Sequence, residues 1–308
     1  MLQRKFASLL HLLSLGAVLL GGCGVIQGYP GKIVFESERD GNSEVYLVSA
    51  NGRNLENLTQ DPAYDGTPAF SPDGSTIAFT SDRTGNPEIY VMGSDGSEPE
   101  AITSGGGYNV VPSFSPDGSN ILFSSNRTYR LSAEGGAIEV PDMTKLWEVH
   151  LESGETRRLT TAIGLDMYGS YSPDGKQVAF MTVRDGNPEI YILTADAREV
   201  NISNNPTLDM VPDWSPDGTK ILFMSDREDG NKEIYMLDLS GDGEFVNLTD
   251  HPANDSDPAW SPDGSMIAFT SDRDGNVEIY VMRADGTGVK RVTEHPADDI
   301  HPEWRPES

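Results

Sequence analysis

Two sets of side chains recur at fixed offsets through the chain, one mostly anionic and one cationic. Asp65, Asn109, Asp166, Asp209, Asp255 and Asp299 each stand three residues before a proline or, once, a glycine. Arg39, Arg83, Arg127, Arg184, Arg227 and Arg273 each follow a phenylalanine by four residues. A ring of carboxylates offers hard oxygen ligands suited to Ca²⁺ or Mg²⁺, and it also attracts a basic partner segment. The plainer reading is architectural: Asp–Arg pairs and Asp-to-backbone bonds fix loops to neighbouring elements. Sixfold recurrence favours architecture, because a site for one ligand usually breaks symmetry. Ca²⁺ is the one cofactor this pattern suggests.

Other chemistry finds little support. No GxSxG elbow or HExxH pair occurs, and the single cysteine, Cys23, leaves none for nucleophilic work. Of the five histidines, His251 and His295 occupy equivalent positions in successive repeats and read as loop residues. The segment Asp272-Arg273-Asp274-Gly275-Asn276-Val277-Glu278 has a superficial likeness to a calcium loop. It lacks the length and ligand count of a twelve-residue EF-hand loop, and Thr84 replaces Asp274 in the second repeat. A hairpin turn is the better reading.

The elements that position these residues repeat with a period of about 44. The aromatic anchors Phe70, Phe114, Tyr171, Trp214, Trp260 and Trp304 lie 44, 57, 43, 46 and 44 residues apart. Each cycle predicts four strands. The aromatic ends a short strand a, and Ser-Pro-Asp-Gly closes a turn in which Pro presets φ and Gly turns left-handed. Met266 to Thr270 exemplifies strand b, Glu278 to Met282 strand c, and Val289 to Thr293 strand d. A period of this length built from short strands is the signature of a β-propeller, one four-stranded blade per repeat. Repeat one lacks strand a and opens on Ile33-Val34-Phe35, while the C-terminus adds a lone strand a around Trp304. The expected fold is therefore an all-β, six-bladed propeller of antiparallel blades, closed by the C-terminal strand in the N-terminal blade. Closure removes exposed sheet edges.

Five SPDG turns and the EIY/EVY strands resemble the PD40 (WD40-like) repeats of the TolB-type propeller, from about Gly31 to Trp304. Full-length TolB has an extra α/β domain ahead of its propeller, for which this chain has no room. The resemblance implies protein or peptide recognition across one face or at the channel mouth. It also implies an alternative, a metal-dependent carbohydrate-active enzyme, since related propellers include a pectic oligosaccharide lyase. That alternative needs converging His or Gln ligands and a basic sugar clamp, and neither stands out.

Residues 1–22 read as a lipoprotein signal peptide: Arg4 and Lys5, an apolar run from Phe6 to Leu20, then Leu20-Gly21-Gly22-Cys23. The expectation is a lipidated Cys23, a short tether to Pro30, and a propeller over 31–308, exported and lipid-anchored in the bacterial cell envelope, periplasmic or at the outer surface. The net charge is −27, and losing Arg4 and Lys5 with the leader makes it −29. Such a charge disfavours nucleic acid and anionic lipid as direct ligands. The expected partner is a basic envelope protein or peptide, with membrane contact through the lipid alone and a monomeric state.

Symmetry breaks once, in repeat three. A long insertion separates Phe123 from Trp147, carrying Tyr129, Arg130, Ile138 and Val140, and Lys145 replaces the strand-c glutamate found at Glu44, Glu88, Glu189, Glu233 and Glu278. Insertions in repeat proteins map to loops and often to the binding face. These four residues are the candidate partner contacts. The expected function is a non-catalytic binding or scaffolding module.

Overall fold

The computed structural model describes residues 31–306, apart from 106, 134–135, 141–142, 229 and 242; for 129–140 it describes the backbone alone. Cys23 and the segments expected to be the leader and the tether lie outside the described residues. So do the side chains of Tyr129, Arg130, Ile138 and Val140.

Strand b sets the core. In blade six, Met266–Ser271 is buried along its whole length, because each blade sheet packs against a neighbour on both faces. It pairs antiparallel with Asp255–Trp260 inside and Glu278–Arg283 outside, and Lys290–Arg291 completes the blade. Six such four-stranded antiparallel sheets are present, and the described residues contain no helix. The six strands a contact one another in turn around a central channel. Between blades, Phe79, Phe180, Phe223 and Phe269 are almost wholly buried. Each lies beside the strand-c tyrosine with ring centroids 5.7–6.0 Å apart.

Closure follows the expectation. Asp299–Trp304 pairs antiparallel with Lys32–Ser37, with Trp304 opposite Ile33 and Asp299 opposite Ser37. Trp304 is buried in the cluster formed by blades six and one.

The SPDG turns owe their recurrence to a small hydrogen-bond circuit. In blade two Ser71 Oγ donates to Asp73 Oδ1 (2.6 Å), Gly74 N donates to Ser71 O (2.8 Å), and Thr76 N donates to Ser71 Oγ (3.0 Å). Gly74 sits at φ +66°, where a side chain is strained. The donors around Asp73 hold its carboxyl down at about 2.

The insertion in blade three forms a regular hairpin, Tyr129–Ala133 paired with Gly136–Val140. It springs from between Asn120–Ser125 and Lys145–His150. Its stem therefore stands on the face that carries the starts of the strands a, opposite the SPDG turns.

Candidate functional site

The recurring Asp and Arg side chains do meet, and they meet inside each blade. Arg39, Arg83, Arg184, Arg227 and Arg273 pair with Asp299, Asp65, Asp166, Asp209 and Asp255 at 2.6–3.2 Å. In blade three Arg127 Nη2 donates to Asn109 Oδ1 at 2.8 Å. Each guanidinium also covers the strand-b and strand-c aromatic rings, with centroid distances of 4.7–5.5 Å. The six Asp and Asn residues are fully buried. Burial raises the carboxyls of Asp65, Asp209 and Asp299 above their usual range despite the paired arginines. The ring thus reaches solvent nowhere, and its side-chain oxygens are engaged by arginine, by serine and, at Asp166, by Lys145. Among the described residues, no group of three or more His, Cys, Asp or Glu side chains is arranged to hold a metal ion.

The other turn residues have local duties as well. Asp274 accepts a hydrogen bond from Tyr280 Oη, as Asp40 does from Tyr46 and Asp185 from Tyr191. Asn276 Nδ2 donates to the carbonyls of His295 and Ala297 in the next loop (2.8 and 3.2 Å). His251 and His295 each accept a backbone N–H two residues on, both at 3.1 Å.

The channel holds an asymmetric cluster that the repeat pattern conceals. Glu36 Oε2 accepts from Tyr64 Oη (3.1 Å) and Thr67 N (3.0 Å), and it contacts His301 Nδ1 at 3.2 Å. A Cβ on Gly66 would lie 2.1 Å from that same oxygen, so glycine at this position makes room for the carboxylate. Burial lowers the His301 pKa, but the Asp257 charge and the Glu36 hydrogen bond outweigh it and bring the ring to about 9. His301 is consequently a cation at neutral pH. Glu36 titrates below its usual range, since His301 and the Thr67 N–H offset the cost of burial.

Further along the wall, Asp213 Oδ2 accepts from Trp260 N (2.8 Å) and Glu303 Oε1 from Phe70 N (3.1 Å), each reaching the next blade. Burial pushes Asp213 up to about 6 and Glu303 up to about 8. Both line a channel cavity of about 320 Å³ with Tyr168 and Val211. None of these groups was singled out from the sequence. The available signal was columnar: Glu36 stands where the other repeats have Thr80, Ser124, Met181, Met224 and Thr270.

Blade three breaks the pattern at the rim. Elsewhere the strand-c glutamate accepts N–H and hydroxyl donors from the following loop, as Glu278 does from His295 N (2.7 Å) and Thr293 Oγ1 (2.6 Å). Lys145 reverses this: buried, it donates to the carbonyls of Ala162 (2.6 Å) and Gly164 and pairs with Asp166 at 3.0 Å. Ile163, between those carbonyls, is 89% exposed; Tyr108 and Met143 are 57% and 51% exposed. Hydrogen bonds tie all three to one place. Tyr108 N donates to Asn126 Oδ1, one residue beyond the Ser125 that pairs with Lys145, and Asp166 N donates to Thr144 O beside Met143. The three residues thus lie in loops beside the ends of the two strands from which the hairpin springs.

A family model described as the TolB beta propeller domain (PD40) matches residues 30–134 and 193–308. A TolB homolog of Chlorobium luteolum is 31% identical over 161 residues, covering 52% of this chain and 34% of the relative, so the match spans about a third of that protein. The crystal structure of TolB from Acinetobacter baumannii superposes with a TM-score of 0.76 at 24% identity, covering 90% of this chain and 67% of that one. A putative TolB from Agrobacterium tumefaciens gives a TM-score of 0.67 at 23% identity, covering 86% and 90%. At these identities the structural likenesses speak for the fold.

Proposed function

Since the chain belongs to the TolB β-propeller (PD40) family, we propose that it is a non-catalytic binding module of the bacterial cell envelope, anchored by lipid on Cys23. Its partner is a protein or peptide segment that presents apolar side chains flanked by Lys or Arg. The observation that carries this reading is the blade-three rim. Tyr108, Met143 and Ile163 are each exposed, in loops tied to the strand ends that carry the hairpin, on a chain whose net charge is −27. Clustered exposed apolar residues mark interaction sites far better than scattered ones, and aromatic residues and methionine are enriched in interfaces. The surrounding negative field speeds encounter with a basic partner and weakens as salt rises. Tyr129, Arg130, Ile138 and Val140 of the hairpin would supply further contacts.

The anchoring is tested by expressing Cys23→Ser and fractionating the envelope. The expected result is release into the soluble fraction, while a variant held as firmly as the parent contradicts the lipoprotein reading. The released form then serves as bait in envelope extract, at low and at raised salt. Capture of a basic protein that is lost at raised salt supports the binding role, and capture of nothing at either salt contradicts it.

A further inference from the structure

We propose that the SPDG face lies toward the membrane that holds the anchor, and that the hairpin-bearing face is displayed away from it. This rests on the lipid-anchoring reading above and adds the orientation that the fold imposes on it. Gly31, the first described residue, sits on the SPDG face. It lines one cleft of about 340 Å³ with Ser261, Pro262, Asp263 and Trp304. Gly31 O accepts from Ala50 N (3.0 Å), and a Cβ at Gly31 would lie 3.2 Å from the Trp304 ring, which fixes where the chain enters the fold.

From Gly31 the chain crosses the disk once, along Lys32–Ser37, to reach the opposite face at Arg39. Six residues at about 3.3 Å each separate the two faces by roughly 20 Å of strand. Cys23 precedes Gly31 by eight residues, a contour of at most about 29 Å. Leaving from one face, the tether favours that face nearest the bilayer. Turning the other face inward would use roughly 20 Å of its contour of at most about 29 Å and also require it to round the disk edge.

The chemistry of the two faces agrees with their assignment. The SPDG carboxylates Asp73, Asp117, Asp174 and Asp217 are held at about 2, so this face is anionic at neutral pH. Ionised carboxylates do not enter hydrocarbon, so the tether rather than insertion sets the spacing. Tyr108, Met143 and Ile163 stand on the other face, free to meet a partner from the aqueous compartment. The partner implied is one that approaches from across that compartment, not a neighbour lying in the same leaflet.

The test uses the full lipidated chain in vesicles containing a headgroup-labelled energy acceptor. A donor is attached at Ser75→Cys, in an SPDG turn, or at Thr84→Cys, in the opposite turn of the same blade; both positions are exposed. Given the face separation of roughly 20 Å, transfer from position 75 is expected to exceed that from position 84 by about twofold. Equal or reversed transfer in protein that floats with the vesicles overturns the orientation alone. Protein that fails to float overturns the anchoring reading, and the orientation falls with it.

Discussion

Blades six and three descend from one repeat pattern but carry opposite charges at the start of strand c. In blade six, Glu278 accepts donors from the loop that follows, so that loop turns its N–H groups inward. In blade three, Lys145 donates to the carbonyls of Ala162 and Gly164, the positions whose counterparts His295 and Ala297 are held in blade six by Asn276. The lysine takes over the asparagine's contacts and the loop keeps its course, with Ile163 exposed between them. The charge at the start of strand c is inverted, while the loop keeps the same two carbonyls turned inward. Blade six also keeps a tight turn at Gly275-Asn276, where blade three extends a hairpin. Where the blade pattern is kept, the paired Asp and Arg residues tie strand a to the b–c turn of the same blade. Around the break in blade three stand the three most exposed large apolar side chains among the described residues, Ile163, Tyr108 and Met143.

The largest effect should come from breaking what all blades share, the closed ring. Deleting residues 299–308 removes the inner strand of blade one, the Arg39–Asp299 pair and the buried Trp304. Burial of one large aromatic alone contributes about 2–3 kcal/mol. A fall of at least about 5 °C in Tm is expected for a chain of this size, and thermal melts check it; a change of a degree or two would mean that the tail is not a closing strand.

A smaller loss should follow from forcing blade three back to the pattern. Lys145→Glu would set a carboxylate against the carbonyls of Ala162 and Gly164 and against Asp166. Replacing one member of a buried ion pair costs about 3–5 kcal/mol, measurable by denaturant unfolding. A variant as stable as the parent would show that the inverted charge does not hold this loop.

The channel predicts a gain. The Glu303 carboxyl is raised to about 8 in the fold, so its contribution to stability is fully present below its unfolded value and is lost as pH rises through about 8. Glu303→Gln keeps an oxygen for Phe70 N and removes the titration. It should melt a few degrees above the parent at pH 8.5, with the difference disappearing by about pH 5. A difference independent of pH would contradict the assigned titration.

Much of this fold was legible because its signals are local and repeated. The 44-residue spacing, the SPDG turns and the missing first strand a each follow from residues near one another in sequence. The Asp–Arg offset was equally visible, but whether those carboxylates meet solvent depends on the Arg and aromatic layer above them, which no spacing encodes. The channel cluster was hidden for another reason. Glu36 and His301 are 265 residues apart and meet only because the ring closes, while Gly66 matters only for the side chain it leaves room for. The hairpin was legible as an insertion in repeat three but not as a paired unit, since Tyr129 to Val140 lacks the motif that marks the other turns. The Lys145 substitution was noticed, whereas its consequence, a lysine taking over the carbonyl contacts that Asn187, Asn231 and Asn276 make in other blades, needed the third dimension.

The central claim is that the blade-three rim is the partner surface, and Tyr108→Ser combined with Ile163→Ser tests it most directly. Both side chains are exposed, so the fold should survive, with a melt within about 2 °C of the parent. The double variant and the parent are used as bait in the same envelope extract at the same low salt. The account predicts at least a tenfold loss of the captured partner, which corresponds to about 1.4 kcal/mol of binding. Undiminished capture by a properly folded variant would contradict it and move recognition to the channel or to the SPDG face.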